Sequence, residues 1–173
     1  IIEEHVRVED GHAMVHGDEV IQGVPGTGSR IDMYFEDPAG SKTGKLFPTG
    51  QKKEVFDVPE YGPAEVTVLD CSNPMVFIKA SDLGIKGSEL TELNQNKDVM
   101  EHIERIRGMA AVKCGFVENW EDARTKSTSA PKVSIVSAPQ DYINMDGNEV
   151  KADTMDLCCR AISVGALHKA YPM

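Results

Sequence analysis

The spacing of the apolar residues constrains the fold most strongly, because helical periods are few in this chain and short strand-like ones are common. Over residues 98–112 the apolar side chains recur every three or four positions, which predicts an amphipathic helix with Asn96 as its N-cap. The same spacing over residues 157–168 predicts a final helix, capped by Asp153 or Asp156.

Short strand-like runs account for most of the remaining apolar residues. They cover 31–35, 55–58, 64–70, 74–80 and 133–138, with strand pairs turning at Asp10-Gly11 and Asp146-Gly147. Residues 37–50 form a long loop rich in Gly, Thr and Pro, and residues 121–131 form a polar linker. Because the strands come in hairpin-like groups without regular strand–helix alternation, we expect an α+β fold with a mixed, mostly antiparallel sheet.

Composition excludes several classes of protein. The 173 residues are 40% apolar, which is too many for general disorder, and their net charge of −10 disfavours a protein that tracks nucleic-acid phosphates. No apolar run reaches the length of about 20 residues that a membrane span needs. Four cysteines, two of them adjacent, do not make a disulfide framework and indicate a reducing, cytoplasmic setting.

Three motif-like segments lack the spacing that their chemistry requires. Residues 40–45 (GSKTGK) have only three residues between the glycines, and a leucine follows the lysine, so they are not a phosphate-binding loop. His12 and His16 lie among glycines without a third ligand at suitable spacing. Cys159 is either a small buried thiol, which we favour, or an activated thiol in the first turn of the final helix.

Five segments, in order and covering most of the chain, resemble the methylaconitate cis–trans isomerase (PrpF) family, which includes aconitate isomerases, 4-oxalomesaconate tautomerases and methylitaconate isomerases. They are GVPGTGSRI (23–31), DPAGSKTGKLFPTG (37–50), LDCSNPMVFIKASDLGIKGSEL (69–90), ERIRGMAA (104–111) and CRAISVGALHKA (159–170). Each segment is short, and the combination is specific.

The resemblance implies a diaminopimelate-epimerase-like fold with two lobes, in which a sheet curls round a central helix and the active site lies between the lobes. It implies proton transfer in small unsaturated di- or tricarboxylates without cofactor or metal. Residues 1–30 then link from an N-terminal lobe, and residues 31–173 form a C-terminally incomplete second lobe. On this interpretation the chain is inactive alone, binds a small polycarboxylate but neither nucleic acid nor membrane, and is compatible with a homo-oligomer.

The resemblance also suggests site residues. Ser163, Val164 and Gly165 resemble a cleft-facing helix start, which would place the final helix nearer Ser163 and let its N–H groups bind a substrate carboxylate. Ser163 is the catalytic candidate, with a helix N-cap as the competing interpretation. Asn73 heads a strand where its amide can hold substrate, with an ordinary turn before a buried strand as the competing interpretation. Thr49 is a further candidate, although a structural turn is the favoured interpretation there.

Two other functions stay open at this point. An amino-acid epimerase or racemase on the same fold would want a thiol on each side of the cleft, and Ser163 stands where one is expected. A non-catalytic relative that binds a metabolite or a partner is the second alternative.

Overall fold

A computed structural model describes residues 1–21 and 24–171, so the segment 23–31, which carries part of the family resemblance, lies partly outside the described residues. In chain order the strands are β1 (Ile2–Val6), β2 (Val8–Glu9), β3 (His12–Ala13), β4 (Ile31–Phe35), β5 (Glu54–Val58), β6 (Gly62–Cys71), β7 (Asn73–Lys79), β8 (Lys132–Ser137), β9 (Tyr142–Ile143), β10 (Glu149–Val150), β11 (Cys158–Ser163) and β12 (Ala166–Leu167); the α-helices are α1 (Lys97–Lys113) and α2 (Ala123–Lys126). The fold is α+β, as predicted.

Six strands form the main sheet, in the order β12-β11-β8-β7-β6-β5. All neighbouring pairs are antiparallel except β7 and β8, which are parallel because the chain crosses over between them through α1. The three remaining pairs, β1–β4, β2–β3 and β9–β10, are separate two-stranded ribbons, all antiparallel. The predicted mixed, mostly antiparallel sheet is therefore confirmed.

Helix α1 covers one face of this sheet. Its buried residues include Val99, Ile103, Ile106 and Ala110, the positions that the helical spacing selected, and the Asn96 side chain accepts a hydrogen bond from the Val99 N–H, as an N-cap does. The strands contribute alternate residues to the same core, among them Val66, Val68, Val76, Ile78, Val133, Ile135 and Ile162. We call this side of the sheet the inner face and the opposite side the outer face.

The predicted final helix is wrong. Residues 158–163 form strand β11, which pairs with β8 from Cys158 opposite Ser137 to Ile162 opposite Val133, and β12 returns beside it. The apolar spacing over residues 157–168 does not produce a helix, because pairing with β8 satisfies the backbone hydrogen bonds of β11 and buries Ile162 in the core. A helix starting nearer Ser163 is excluded for the same reason.

The predicted linker at 121–131 is also partly structured. Residues Trp120–Asp122 form a 3-10 turn that leads into α2, where Ala123 is fully buried. Arg107 of α1 is 3% exposed, pairs with Glu104 and donates hydrogen bonds to the carbonyl groups of Ser127 and Ala130. These bonds fasten the segment to the helix. Among the described residues, no helix is long and apolar enough to cross a membrane.

Candidate functional site

The sheet order brings two of the predicted site residues to one end of the sheet. Asn73 begins β7 directly after the turn from β6, and β8 runs parallel to β7 with Lys132 opposite Met75. Strand β11 runs antiparallel to β8 and ends at Ser163, one residue after Ile162 pairs with Val133. Asn73 and Ser163 therefore lie at the same end, which we call the Asn73 end.

Strand alternation also places these residues on the same face. Ile162 belongs to the core under α1, so its neighbour Ser163 lies on the outer face. Val133 belongs to the core as well, which puts Lys132 on the outer face beside Ser163. Asn73 shares this face as residue i−2 of Met75. An amide, an ammonium group and a hydroxyl thus lie across three neighbouring strands at the Asn73 end.

A buried carboxylate organises the loop next to this end. Asp70 is fully buried on β6, and its oxygens accept hydrogen bonds from the N–H groups of Lys42 and Thr43, at 2.8 and 2.7 Å, and from the hydroxyls of Thr43 and Ser41, at 2.9 and 3.2 Å. Burial alone would raise the Asp70 pKa, but these four bonds favour the charged form and the pKa is lowered. Residues 41–43 are therefore folded around one negative charge.

Backbone contacts tie the same loop to the turn before Asn73. The Ser72 N–H donates to Pro38 O, the Gly40 N–H donates to Asp70 O, and the Ser41 hydroxyl donates to Ser72 O, all at 2.8 Å. Gly40 has a φ of 71°, and a Cβ there would lie 2.5 Å from the Lys45 nitrogen, so the loop needs glycine at this position. The loop fixes the turn from which Asn73 emerges.

The role of Asp70 was not predicted, although the alternation of buried residues in β6 indicates it. The inward positions of β6 read Ala64, Val66, Val68 and Asp70, so an acid continues a buried apolar series. A buried carboxylate requires hydrogen-bond donors, and the polar loop at 37–50 was the nearest unassigned source of them.

Thr49 lies in a local turn. Its hydroxyl donates to Gln51 O and accepts from the Gln51 N–H, both at 3.3 Å. This geometry agrees with the structural interpretation of Thr49.

Val164 and Gly165 form the tight turn between β11 and β12 and do not begin a helix, so Ser163 is not a helix N-cap. Both have positive φ values, 51° and 73°, as the two central residues of a type I′ turn do. Within the described part of the chain, their N–H groups donate to no other backbone group. A cavity of about 430 Å³ opens beside the turn, lined also by Asn94 and by Lys97 and other residues of α1.

The thiols of Cys159 and Cys114 are poorly suited to nucleophilic chemistry. Cys159 lies in β11 and not at a helix start, and burial together with the neighbouring Cys158 raises its pKa. Burial raises the pKa of Cys114 to about 12, with a contribution from Asp70. The interpretation of Cys159 as an activated thiol in a first helical turn is therefore wrong, because that turn does not exist.

Comparisons with known proteins agree with the sequence motifs. The family model described as PrpF protein matches residues 1–173. The chain is 38% identical over 168 residues to 3-methylitaconate isomerase of Eubacterium barkeri, covering 96% of this chain and 44% of that protein. It is 32% identical over 170 residues to 2-methyl-aconitate isomerase of Shewanella oneidensis, covering 96% and 43%.

A solved structure gives the same assignment. The crystal structure of a methylitaconate-delta-isomerase superimposes with a TM-score of 0.88 at 37% identity, over 99% of this chain and 44% of that one. The chain thus spans less than half the length of these relatives. With a family model matched over its whole length, the chain belongs to the PrpF family.

Proposed function

We propose that the protein carrying this chain is a cofactor-independent isomerase of small unsaturated di- or tricarboxylates of the aconitate and methylaconitate type. The observation that carries the proposal is the grouping of Asn73, Lys132 and Ser163 on one face at the Asn73 end, beside a turn whose N–H groups donate to no other backbone group of the described residues. Relatives named as isomerases of methylitaconate and 2-methylaconitate support this substrate class.

The chemistry requires stabilisation of negative charge. Removing an allylic proton beside a carboxylate forms an enolate-like intermediate, the double bond shifts, and the proton returns at another carbon. Fixed donors aimed at the developing charge lower the barrier most. The Asn73 amide, the Ser163 hydroxyl and the Val164 and Gly165 N–H groups are the donors proposed here. Thr49 is proposed at the rim of the same site.

The neighbour of Ser163 strengthens its catalytic role. A serine hydroxyl is a poor proton carrier unless a nearby group activates it. Lys132 lies beside Ser163 on the same face of the sheet, and its positive charge favours both an anionic substrate and a more acidic hydroxyl. Ser163 is accordingly proposed as the residue that relays a proton.

The proposed architecture is that of a diaminopimelate-epimerase-like protein, in which residues 31–173 belong to one lobe and the reaction takes place between two lobes. The sheet packed on α1 and the lack of burial in the described part of residues 1–30 support this division.

Proton exchange provides the test. The whole protein that carries this chain is incubated in D2O with aconitate, methylaconitate, methylitaconate or oxalomesaconate, and deuterium incorporation is followed by proton NMR. We expect incorporation at the allylic carbon and interconversion of isomers for at least one acid. Absence of exchange with all four acids contradicts the proposed function.

Two substitutions test the site. Asn73→Ala and Ser163→Ala each remove one donor and are expected to lower kcat/KM by roughly 100-fold. Ser81→Ala is the matched control, because Ser81 is exposed beyond the opposite end of β7 and, among the described residues, its hydroxyl donates to the neighbouring Asp82. Equal kcat/KM values for Ser163→Ala and Ser81→Ala would exclude Ser163 from the reaction.

A further inference from the structure

A cavity of about 500 Å³ lies against the part of β11 that β12 leaves uncovered. Its walls come from β11, from the ribbon β9–β10 and from residues 167–171. Asn73 and Ser163 are not among the described residues that line it. This volume is in the range of small-molecule sites.

The charge of this cavity is opposite to that of the chain. Acidic residues outnumber basic ones by 28 to 18 in the sequence, yet the described lining contains Arg160, Lys169 and His168 and neither Asp nor Glu. A site of this composition attracts an anion.

Arg160 is held in place by neutral groups of the described residues. Its Nε donates to Glu89 O at 2.8 Å, and its two terminal nitrogens donate to Cys159 O at 2.9 Å, Ser88 O at 3.1 Å and the Cys158 Sγ at 3.8 Å. Four of its five N–H groups are thereby used, three of them on neutral carbonyl groups, and one remains for a ligand.

The described neighbours of Arg160 include an aromatic ring and a nearby acid that does not form an ion pair with it. The guanidinium lies 4.7 Å from the centroid of the Tyr142 ring. Glu92 feels the positive charge of Arg160, but the described residues contain no ion pair between them. Arg105, Arg107 and Arg124, by contrast, each pair with a glutamate.

The remaining walls are largely apolar. They include Leu90, Met145, Met155 and Leu157, and methionine side chains adapt to ligands of different shape. A cation at one wall and flexible apolar side chains around it suit a molecule with one anionic group and a compact apolar body.

We propose that this cavity binds a small organic carboxylate with an apolar body, whose carboxylate accepts a hydrogen bond from Arg160. The described lining includes neither Asn73, Lys132 nor Ser163, so the proposal does not depend on the isomerase reaction. Arg160 supplies charge and direction, and the apolar side chains supply contact area.

An NMR titration of the 15N-labelled protein tests this site. Benzoate is the probe, benzamide is its neutral isostere, and inorganic phosphate is an anion without an apolar body. We expect benzoate to shift the amide resonances of residues 157–161 and 168–171, with benzamide and phosphate at least ten-fold weaker. Equal binding of benzamide or phosphate, or the absence of benzoate shifts at these residues, overturns the proposal.

Variants separate electrostatic from structural effects. Arg160→Gln is expected to abolish benzoate binding, and Arg124→Gln, which neutralises an exposed arginine outside this cavity, is expected to leave it unchanged. Arg160 also binds the carbonyl groups of residues 88 and 89, so its replacement could change the structure. A second pair of variants therefore leaves Arg160 in place. Leu157 is 52% exposed at the rim, so Leu157→Asp and Leu157→Asn fold alike and differ in charge.

The two Leu157 variants test the effect of charge on benzoate affinity directly. One unit charge near the carboxylate is worth about 1 kcal/mol in water, so Leu157→Asp should bind benzoate about five-fold more weakly than Leu157→Asn. Equal affinities of these two variants contradict the role of charge in the cavity. Because none of these measurements uses turnover, failure here leaves the proposed isomerase reaction unaffected, and the reverse also holds.

Discussion

The first 36 residues and the rest of the chain are built from similar strands but are stabilised differently. In the arm, residues 1–36, no described residue is buried, and Ile2, Val8 and Ile31 are more than half exposed. In the body, residues 37–171, the main sheet and α1 bury a continuous apolar core. Both regions contain antiparallel strand pairs joined by backbone hydrogen bonds, and among the described residues the body alone adds burial.

This difference separates two contributions to stability. A hydrogen bond replaces one that the unfolded chain makes with water, so ladders alone contribute little net free energy. Removing apolar area from water contributes about 25 cal/mol per Å², and this term is concentrated in the body. The same substitution should therefore have unequal effects in the two regions.

The largest expected effect is in the core. Ile106 is fully buried on α1, and Ile106→Ala should lower the free energy of unfolding by about 3 kcal/mol through lost contacts and a cavity. Urea unfolding followed by circular dichroism measures it. A loss below about 1 kcal/mol would mean that α1 does not pack on the sheet as described.

Substitution of Asp70 should lower the free energy of unfolding nearly as much. Asp70→Asn replaces an acceptor oxygen by a donor and leaves N–H or hydroxyl groups of residues 41–43 unpaired, at a cost of roughly 3 kcal/mol. Because the folded-state pKa is lowered, the stabilisation by Asp70 is present above its ordinary pKa and is lost as the pH falls through the folded-state value. Asp57→Asn, at an exposed position of β5, is the control, with an expected change near zero.

Asp70 also shows which parts of the structure a sequence predicts. Helix α1 and strands β5 to β8 were predicted because their periodicity is local, and Asn96 as N-cap needs only residues three apart. The partners of Asp70 lie 27 to 29 residues away along the chain, and no local pattern encodes them. The buried series in β6 indicated only that a partner had to exist.

The sequence could not predict that the candidate site residues lie together, because the order of the strands in the sheet is not a local pattern either. Asn73 and Ser163 were chosen by resemblance, but their common location follows from β8 inserting between β7 and β11. The strand β11 itself was missed, because Cys158 to Ile162 gain their structure from β8 and not from their own spacing. Local periodicity competes poorly with pairing to a distant strand edge.

Two turns sharpen the comparison between regions. The β2–β3 turn in the arm and the β11–β12 turn in the body both have two residues at positive φ, Asp10-Gly11 and Val164-Gly165. Aspartate tolerates this region, whereas a β-branched residue is strained in it. Val164→Asn should therefore stabilise the protein by about 1 kcal/mol, measured as a rise in Tm.

The control for this prediction is an exposed strand position. Val8 in β2 has the same side chain without positive φ, and Val8→Asn should give no increase in Tm. If Val164→Asn fails to raise Tm, the turn does not have the described conformation. If the variant raises Tm and isomerisation falls, strain at Val164 serves the proposed site.

A smaller effect is expected on the pH dependence of stability, through His102. His102 stacks on Tyr61 at 4.2 Å, and its Nε2 is buried without a partner among the described residues. Burial, aided by Arg105, lowers the pKa of His102, although Asp98 opposes this shift. The unfolded chain then binds more protons near its ordinary pKa, so stability falls as the pH drops from about 6.5 toward the folded-state value.

The variant His102→Phe keeps the stacking and removes the titration. It should flatten the decline in the free energy of unfolding between neutral and mildly acidic pH, which urea unfolding at several pH values measures. His12→Phe, at an exposed strand position in the arm, should retain the decline of the unmodified protein. Identical pH profiles for His102→Phe and the unmodified protein would contradict this assignment.

The smallest effect is expected in the arm, where Ile31→Ala repeats the chemistry of Ile106→Ala. Ile31 is 52% exposed and lies at the end of the β1–β4 pairing, opposite Val6. With little apolar area removed from water and no cavity to form, its loss should cost less than about 0.5 kcal/mol. Urea unfolding of both variants under one set of conditions gives the ratio of their losses in unfolding free energy. If Ile31→Ala cost as much as Ile106→Ala, the arm would be packed on apolar surface in solution, and burial rather than the hydrogen-bond ladder would stabilise both regions.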